Sequence, residues 1–226
     1  MKRSRINQII RESEAFIKEQ GFLLPPFAAW TVEDWQEKGH ECDEIRDNML
    51  GWDITDFGHG DFDNIGLTLI TIRNGNQLNP KYDKTYAEKI LISREGQVTP
   101  MHFHWNKMED IINRGGGILM MQLYNSTEDE RLADTDVHIV SDGVALTLKA
   151  GSILELQPGS SITLTKDMYH SFWAKEGHGS VMVGEVSQCN DDNSDNRFLD
   201  NGGRFPRIEE DEEPYRLLCN EYPAAK

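Results

Sequence analysis

His102 and His104 stand two residues apart in the stretch GQVTPMHFHWNKMEDIINRGGG, from Gly96 to Gly117, and Glu109 follows after a short WNKM turn. On a β-strand successive side chains alternate between faces, so both imidazoles project from one side and Phe103 from the other. Both can then reach one metal ion. The turn can bring the Glu109 carboxylate back toward the same point, and a fourth ligand must come from elsewhere in the chain. A histidine pair of this kind can equally decorate the outside of a strand, so the surrounding sequence has to decide. His40, His59, His138 and His178 have no partner at ligand spacing and are expected at the surface.

These residues need a framework to position them. The N-terminal segment MKRSRINQIIRESEAFIKEQGF carries Ile6, Ile9, Ile10, Phe16 and Ile17 at helical period and reads as an amphipathic helix. A LLPPFAAW connector leads to a second helix, opened by Thr31 with Asp34 three residues on, a pairing similar to a capping box. From Ile65 the texture changes to short β-rich runs: IGLTLITIRNGN, YAEKILIS, GILMMQLYN, DVHIV, VALTLKAG, SILELQPG, SITLT, YHSFWA and SVMVGEVS. Gly, Pro, Asn and Asp punctuate them at roughly 8 to 12 residue intervals, the signature of a β-sandwich or barrel. The last stretch is polar, yet Phe198, Phe205, Pro206, Tyr215, Leu217 and Leu218 predict that it packs back on the barrel. Its acidic run Glu209 to Glu213 reads as a solvated face. The expected organisation is one domain, with a mainly helical extension over 1–64, a barrel core over 65–188 and a C-terminal segment over 189–226.

The 226 residues carry a formal net charge of -16, which repels phosphate backbones and anionic lipid. A neutral small-molecule substrate is expected, with neither nucleic acid nor membrane as partner. No apolar run approaches the roughly 18 residues that cross a bilayer, and the N-terminus lacks the pattern of a secretory leader. Cys42, Cys189 and Cys219 form no C-x-x-C pair, which argues against a disulfide framework or a thiolate zinc site and for the reducing cytoplasm.

The order Gly96, five residues, His102-x-His104, four residues, Glu109, six residues, Gly116 resembles the first motif of the cupin superfamily in every element. GSSITLTKDMYHSFWA resembles the second, with Gly159 leading and His170 in the ligand position. Thr165, Asp167 and Ala174 stand where proline, glycine and asparagine are usual, departures that bear on turn geometry more than on the ligand. The resemblance implies an all-β, antiparallel jelly-roll barrel and a metal held by His102, His104, Glu109 and His170. Three neutral imidazoles and one carboxylate would leave a divalent ion a residual charge of about +1 and open positions for oxygen ligands, which suits Mn, Fe, Ni or Zn.

Such a barrel hosts many chemistries, so other residues must discriminate. Lys89 lies in the apolar run KILI, and Lys107 lies two residues before Glu109. An ammonium beside a cation is costly, so a lysine facing the barrel interior would be kept to bind or protonate an oxygen; at the surface it would need no explanation. Glu185, in VMVGEVS, shares a strand face with Val181 and Val183 and is either outward or a pocket carboxylate. The polar NDDNSDNRF stretch suits a polyol. A sugar isomerase would use this whole set: metal on neighbouring sugar oxygens, a carboxylate moving the proton between C1 and C2, a lysine steadying the enediolate.

DWQEKG, HFHWNKMEDIINRGGG, GEVSQCNDDNSDNRF and RFPRIEEDEEP resemble the bacterial cupin-type D-lyxose isomerases, over nearly the whole chain. That resemblance implies interconversion of D-lyxose and D-xylulose, with some action on D-mannose and D-fructose, a divalent ion that is commonly Mn (Zn, Fe, Co and Ni being alternatives), and a homodimer. It also implies that Glu185, Lys107 and Lys89 are catalytic and that Lys89, Lys107, Asp195 and Arg204 bind substrate. Two other readings stay open: another metallocupin isomerase or epimerase acting on a sugar or phosphosugar, and a sugar-binding cupin without turnover.

Overall fold

The isoleucine pattern at the N-terminus forms helix α1 (Arg3–Glu19), which buries Ile6, Ile9, Ile10 and Ile17. The computed structural model describes residues 1–189, 191, 194–200 and 206–226, so Arg204 and Phe205, both singled out in the sequence, lie outside the described residues. Two short helices follow, α2 (Val32–Gln36) and α3 (Asp43–Asp47). Thr31 and Asp34 cap α2 reciprocally: Thr31 Oγ1 accepts from the Asp34 amide at 3.1 Å, and Asp34 Oδ2 accepts from the Thr31 amide at 2.8 Å.

The strands run β1 (Gly51–Thr55), β2 (Leu67–Arg73), β3 (Tyr86–Ser93), β4 (Thr99–Phe103), β5 (Glu109–Gly116), β6 (Leu119–Asn125) and β7 (Val137–Ser141). They continue with β8 (Val144–Leu148), β9 (Ile153–Leu156), β10 (Ser161–Leu164), β11 (Met168–Ala174), β12 (Val181–Gln188) and β13 (Arg197–Phe198). Eight form one sheet in the order β1-β2-β3-β12-β5-β10-β7-β8, and five form a second in the order β13-β4-β11-β6-β9. Neighbouring strands pair antiparallel throughout, from β1 on β2 to β7 on β8 and from β13 on β4 to β6 on β9. This is the all-β antiparallel barrel expected from the motifs.

Two apolar layers hold it. One lies between the sheets, where Leu119, Met121 and Leu123 of β6 meet Ile111, Ile162 and Val183. The other lies outside, where the α1 isoleucines cover Ile54, Ile70, Ile90, Ile92 and Met182. Each such side chain contributes about 1.5 to 3 kcal/mol on burial. Because β2 and β3 are covered on both faces, they read as apolar runs rather than as alternation.

The sheet begins at Gly51, earlier than the start at Ile65 expected from the sequence. Asp53 and the following DFGHGDFDN disguise β1 as loop, yet all five of its residues are buried. The C-terminal segment packs back as expected: Leu218 bridges to Trp52, and the Cys219 amide donates to the Trp52 carbonyl at 2.8 Å. The acidic run is exposed, but it is more than a solvated face. Arg3, 1% exposed, sits between Glu210 and Glu221, and the Ser4 amide and hydroxyl donate to Asp211 at 2.9 and 2.8 Å. Pattern reading missed this because the basic partners stand at the opposite end of the chain.

Candidate metal centre and active site

Each sheet delivers half of the site. On the five-stranded sheet, β4 and β11 pair with His102 opposite His170, and His104 follows directly after β4. On the eight-stranded sheet, β5 opens with Glu109, while Glu185 of β12 lies between Lys89 of β3 and Ile111 of β5. The turns that set these strands are the motif turns. Gly96 adopts φ 67°, and Asp167, standing where glycine is usual, adopts φ 60°. The left-handed conformation is therefore retained with aspartate, one of the few side chains that tolerate it. The Asp167 amide also donates to the His104 carbonyl at 2.9 Å, tying the second motif to the first.

Every one of the three imidazoles is oriented through its backbone-facing nitrogen. Nδ1 of His102 lies 2.7 Å from the Pro100 carbonyl oxygen, Nδ1 of His104 lies 2.7 Å from that of Asp195, and Nδ1 of His170 lies 3.0 Å from that of Met168. A proton on each Nδ1 leaves Nε2 as the lone-pair atom, as metal ligation requires. One ring nitrogen from each of the three lies within 4.8 Å of the others. Glu109 Oε1 lies 3.2 Å from His170 Nε2 and 3.4 Å from His104 Nε2. Adjacent ligands about 2.1 Å from one ion stand about 3 Å apart, so this donor set fits a divalent metal.

Burial, and then the neighbouring imidazoles, push His102 well below its usual range; burial and Lys107 push His104 down too. Burial alone would raise the Glu109 carboxyl, but Lys107 and the histidines outweigh it and hold it well below the usual carboxylate range. Burial thus favours the neutral form of His102 and His104, and Lys107 favours the ionised form of Glu109, the forms that a metal would need.

Beside the histidines lies a second polar group. Lys107 Nζ lies 2.8 Å from Glu109 Oε2 and 2.8 Å from Glu185 Oε1, and so bridges the two carboxylates. Lys89 Nζ lies 3.7 Å from Glu185 Oε1, to which Ser187 Oγ donates at 3.0 Å. Lys89, Lys107, Glu109 and Glu185 are all buried. Charges at such depth persist only when paired, and these pair with one another. Leu67, Leu69, Leu91 and Ile111 form an apolar wall of the same cavity, which Phe57 and Phe198 also line, their ring centroids 5.4 Å apart.

His102, His104, Glu109, His170, Lys89, Lys107 and Glu185 therefore line one cavity. Asp195 is placed differently. Its Oδ1 accepts from the Asn106 amide at 2.8 Å and from Asn106 Nδ2 at 3.0 Å, and its Oδ2 accepts from the Lys107 amide at 3.0 Å. The adjacent Asn196 lines the cavity instead. Arg204 lies outside the described residues. Asn196, Phe57 and Phe198 had not been singled out for the site. Phe198 was legible only as an apolar residue in a polar tail, and Phe57, at φ 51° in a glycine-rich turn, carries no motif at all. The four histidines without ligand spacing are all exposed, as expected.

A family model described as D-lyxose isomerase matches residues 1–222. A D-lyxose/D-mannose isomerase of Serratia proteamaculans is 52% identical over 223 residues, covering 98% of this chain and 98% of the relative. One of Escherichia coli O157:H7 is 50% identical, again over 98% of each chain. Among solved structures, the L-ribose isomerase of Acinetobacter sp. DL28 superposes with a TM-score of 0.63 at 15% identity, covering 92% of this chain and 98% of that one, a likeness of fold.

Proposed function

This chain belongs to the D-lyxose isomerase family, and from that premise we propose that its buried centre is a metal-dependent aldose-ketose isomerase site, interconverting D-lyxose with D-xylulose and D-mannose with D-fructose. One observation carries the chemical reading. Glu185 is a buried carboxylate that pairs with Lys107 and Lys89 in the cavity that the three histidines line.

Held by His102, His104, Glu109 and His170, a divalent ion, for which manganese suits the mixed nitrogen and oxygen donors, would polarise the sugar carbonyl and grip the adjacent hydroxyl. The chain's own residues account for the hydrogen. Glu185 removes the proton from C2 of the open-chain aldose as the C1 carbonyl becomes an enediolate, and returns it to C1. The hydroxyl proton passes from O2 to O1, leaving the ketone at C2. Lys107, which reaches both carboxylates, donates toward the oxygen on which charge develops. Lys89 balances the charge of buried Glu185. The apolar wall, with Phe57 and Phe198, keeps water from the reacting carbons.

The substrate is a free sugar, in keeping with the formal charge of -16. The setting we propose is the cytoplasm, where the buried Cys42, Cys189 and Cys219 stay reduced, and the assembly is a homodimer. No helix among the described residues is long and apolar enough to cross a membrane. The test is to strip the protein with a chelator and assay D-lyxose and D-mannose before and after restoring Mn2+. Isomerisation should disappear and return. Sugar binding without turnover in the metal-loaded protein would overturn the reading in favour of a non-catalytic binder.

A further inference from the structure

We propose that Asp195 is a positioning residue that fixes the metal ligand His104 and the ammonium of Lys107 in one step, rather than a group that touches the sugar. The inference rests on the metal reading of the histidines. Asp195 is 4% exposed and is not among the residues that line the histidine cavity; its carboxylate is taken up by the turn after β4 and its carbonyl by His104. Its main-chain carbonyl takes the Nδ1 proton of His104 at 2.7 Å. Its carboxylate takes the two successive main-chain amides of Asn106 and Lys107, at 2.8 and 3.0 Å, together with Asn106 Nδ2 at 3.0 Å. Its own amide is anchored on the Asp191 carbonyl at 3.0 Å.

The consequence is mechanical. The turn from His104 to Met108 carries a ligand at its start and delivers Lys107 and Glu109 at its end; Trp105, Asn106 and Met108 are exposed, with Trp105 held edge-on to Phe103 and Met108 held by Gln188. Between those two anchors, a charged acceptor on the consecutive Asn106 and Lys107 amides adds rigidity to the centre of the turn. The same residue's carbonyl selects the His104 tautomer and ring angle, which raises the basicity of Nε2. Losing the carboxylate frees both the turn and the carbonyl.

The experiment compares wild type, Asp195→Ala and Asp195→Asn as metal-free full-length proteins. Mn2+ is titrated calorimetrically without sugar, and amide hydrogen exchange is followed at Asn106 and Lys107. The expected result for Asp195→Ala is Mn2+ binding weakened about 10- to 100-fold, faster exchange at those two amides, and kcat for D-lyxose reduced even at saturating Mn2+. Asn keeps one acceptor but sets an NH2 group against the other amide, so Asp195→Asn should show the same changes and serves if the alanine variant does not fold. Unchanged Mn2+ affinity with a raised KM would overturn the proposal and make Asp195 a sugar contact. A lowered melting temperature with unchanged Mn2+ affinity and kcat would also overturn it, leaving only a structural role. If wild type binds Mn2+ but isomerises no sugar, the functional reading fails while this test still stands.

Discussion

His170 shows what one residue contributes. It lies opposite His102 across the β4–β11 pairing, is 1% exposed, and has Nδ1 committed to the Met168 carbonyl. Replacing it with alanine removes one of three imidazoles from a preformed set, so His170→Ala should lose most bound Mn2+, measured by metal analysis after dialysis, and activity with it. Full metal content would contradict its assignment as a ligand. The histidine cluster was legible because metal chemistry would constrain both residue type and spacing, and the i, i+2 rule places His102 and His104 on one face without knowledge of the fold. Glu185 was legible only as a choice between inside and outside. Asp195 was not legible as a tether, because its partners Asn106 and Lys107 stand far off in sequence and main-chain amides leave no trace in a residue pattern.

At the scale of elements, the two glycines that frame the first motif have different duties. Gly96 has φ 67° with open space where a Cβ would sit, whereas at Gly116, φ 88°, a Cβ would meet the Ser180 carbonyl oxygen at 2.2 Å. Gly96→Ala should therefore cost only the left-handed conformation, about 1 to 2 kcal/mol. Gly116→Ala must also push β5 from the start of β12, at the opposite end of the pair from Glu109 and Glu185, and should cost more than about 3 kcal/mol. Thermal unfolding of the two variants measures the difference, and equal losses would contradict this account. Turn chemistry of this kind was readable from spacing, and even the substitution of aspartate for glycine at 167 kept the turn. Strand β1 was not readable. Its period is masked by Asp53 and by the acidic, glycine-rich run that follows, and its identity comes from pairing with β2.

Across the whole molecule, the ends of the chain are clasped and the two sheets converge on one cavity. Arg3 joins Glu210 and Glu221, and its hydrogen bonds hold the Glu210 carboxyl below its ordinary value of 4.5. A depressed carboxyl stabilises the fold above its unfolded pKa, and that contribution is lost as the pH falls through the folded value. Arg3→Met should therefore lose about 1 to 2 kcal/mol near pH 7, allowing for the exposed Glu210, and the gap to wild type should narrow below pH 4. Melting curves from pH 7 to pH 3 check this; a gap independent of pH would show that packing, not charge, makes the clasp. The central claim belongs to this scale as well: one sheet supplies the histidines and the other the proton-moving carboxylate, so ion binding and hydrogen transfer should be separable. The most direct measurement is the Mn2+ content and D-lyxose turnover of Glu185→Gln, determined on the same preparation. The account predicts wild-type Mn2+ content with kcat lowered about 100-fold or more. Near-normal turnover with the ion bound would contradict it and move the proton to another group.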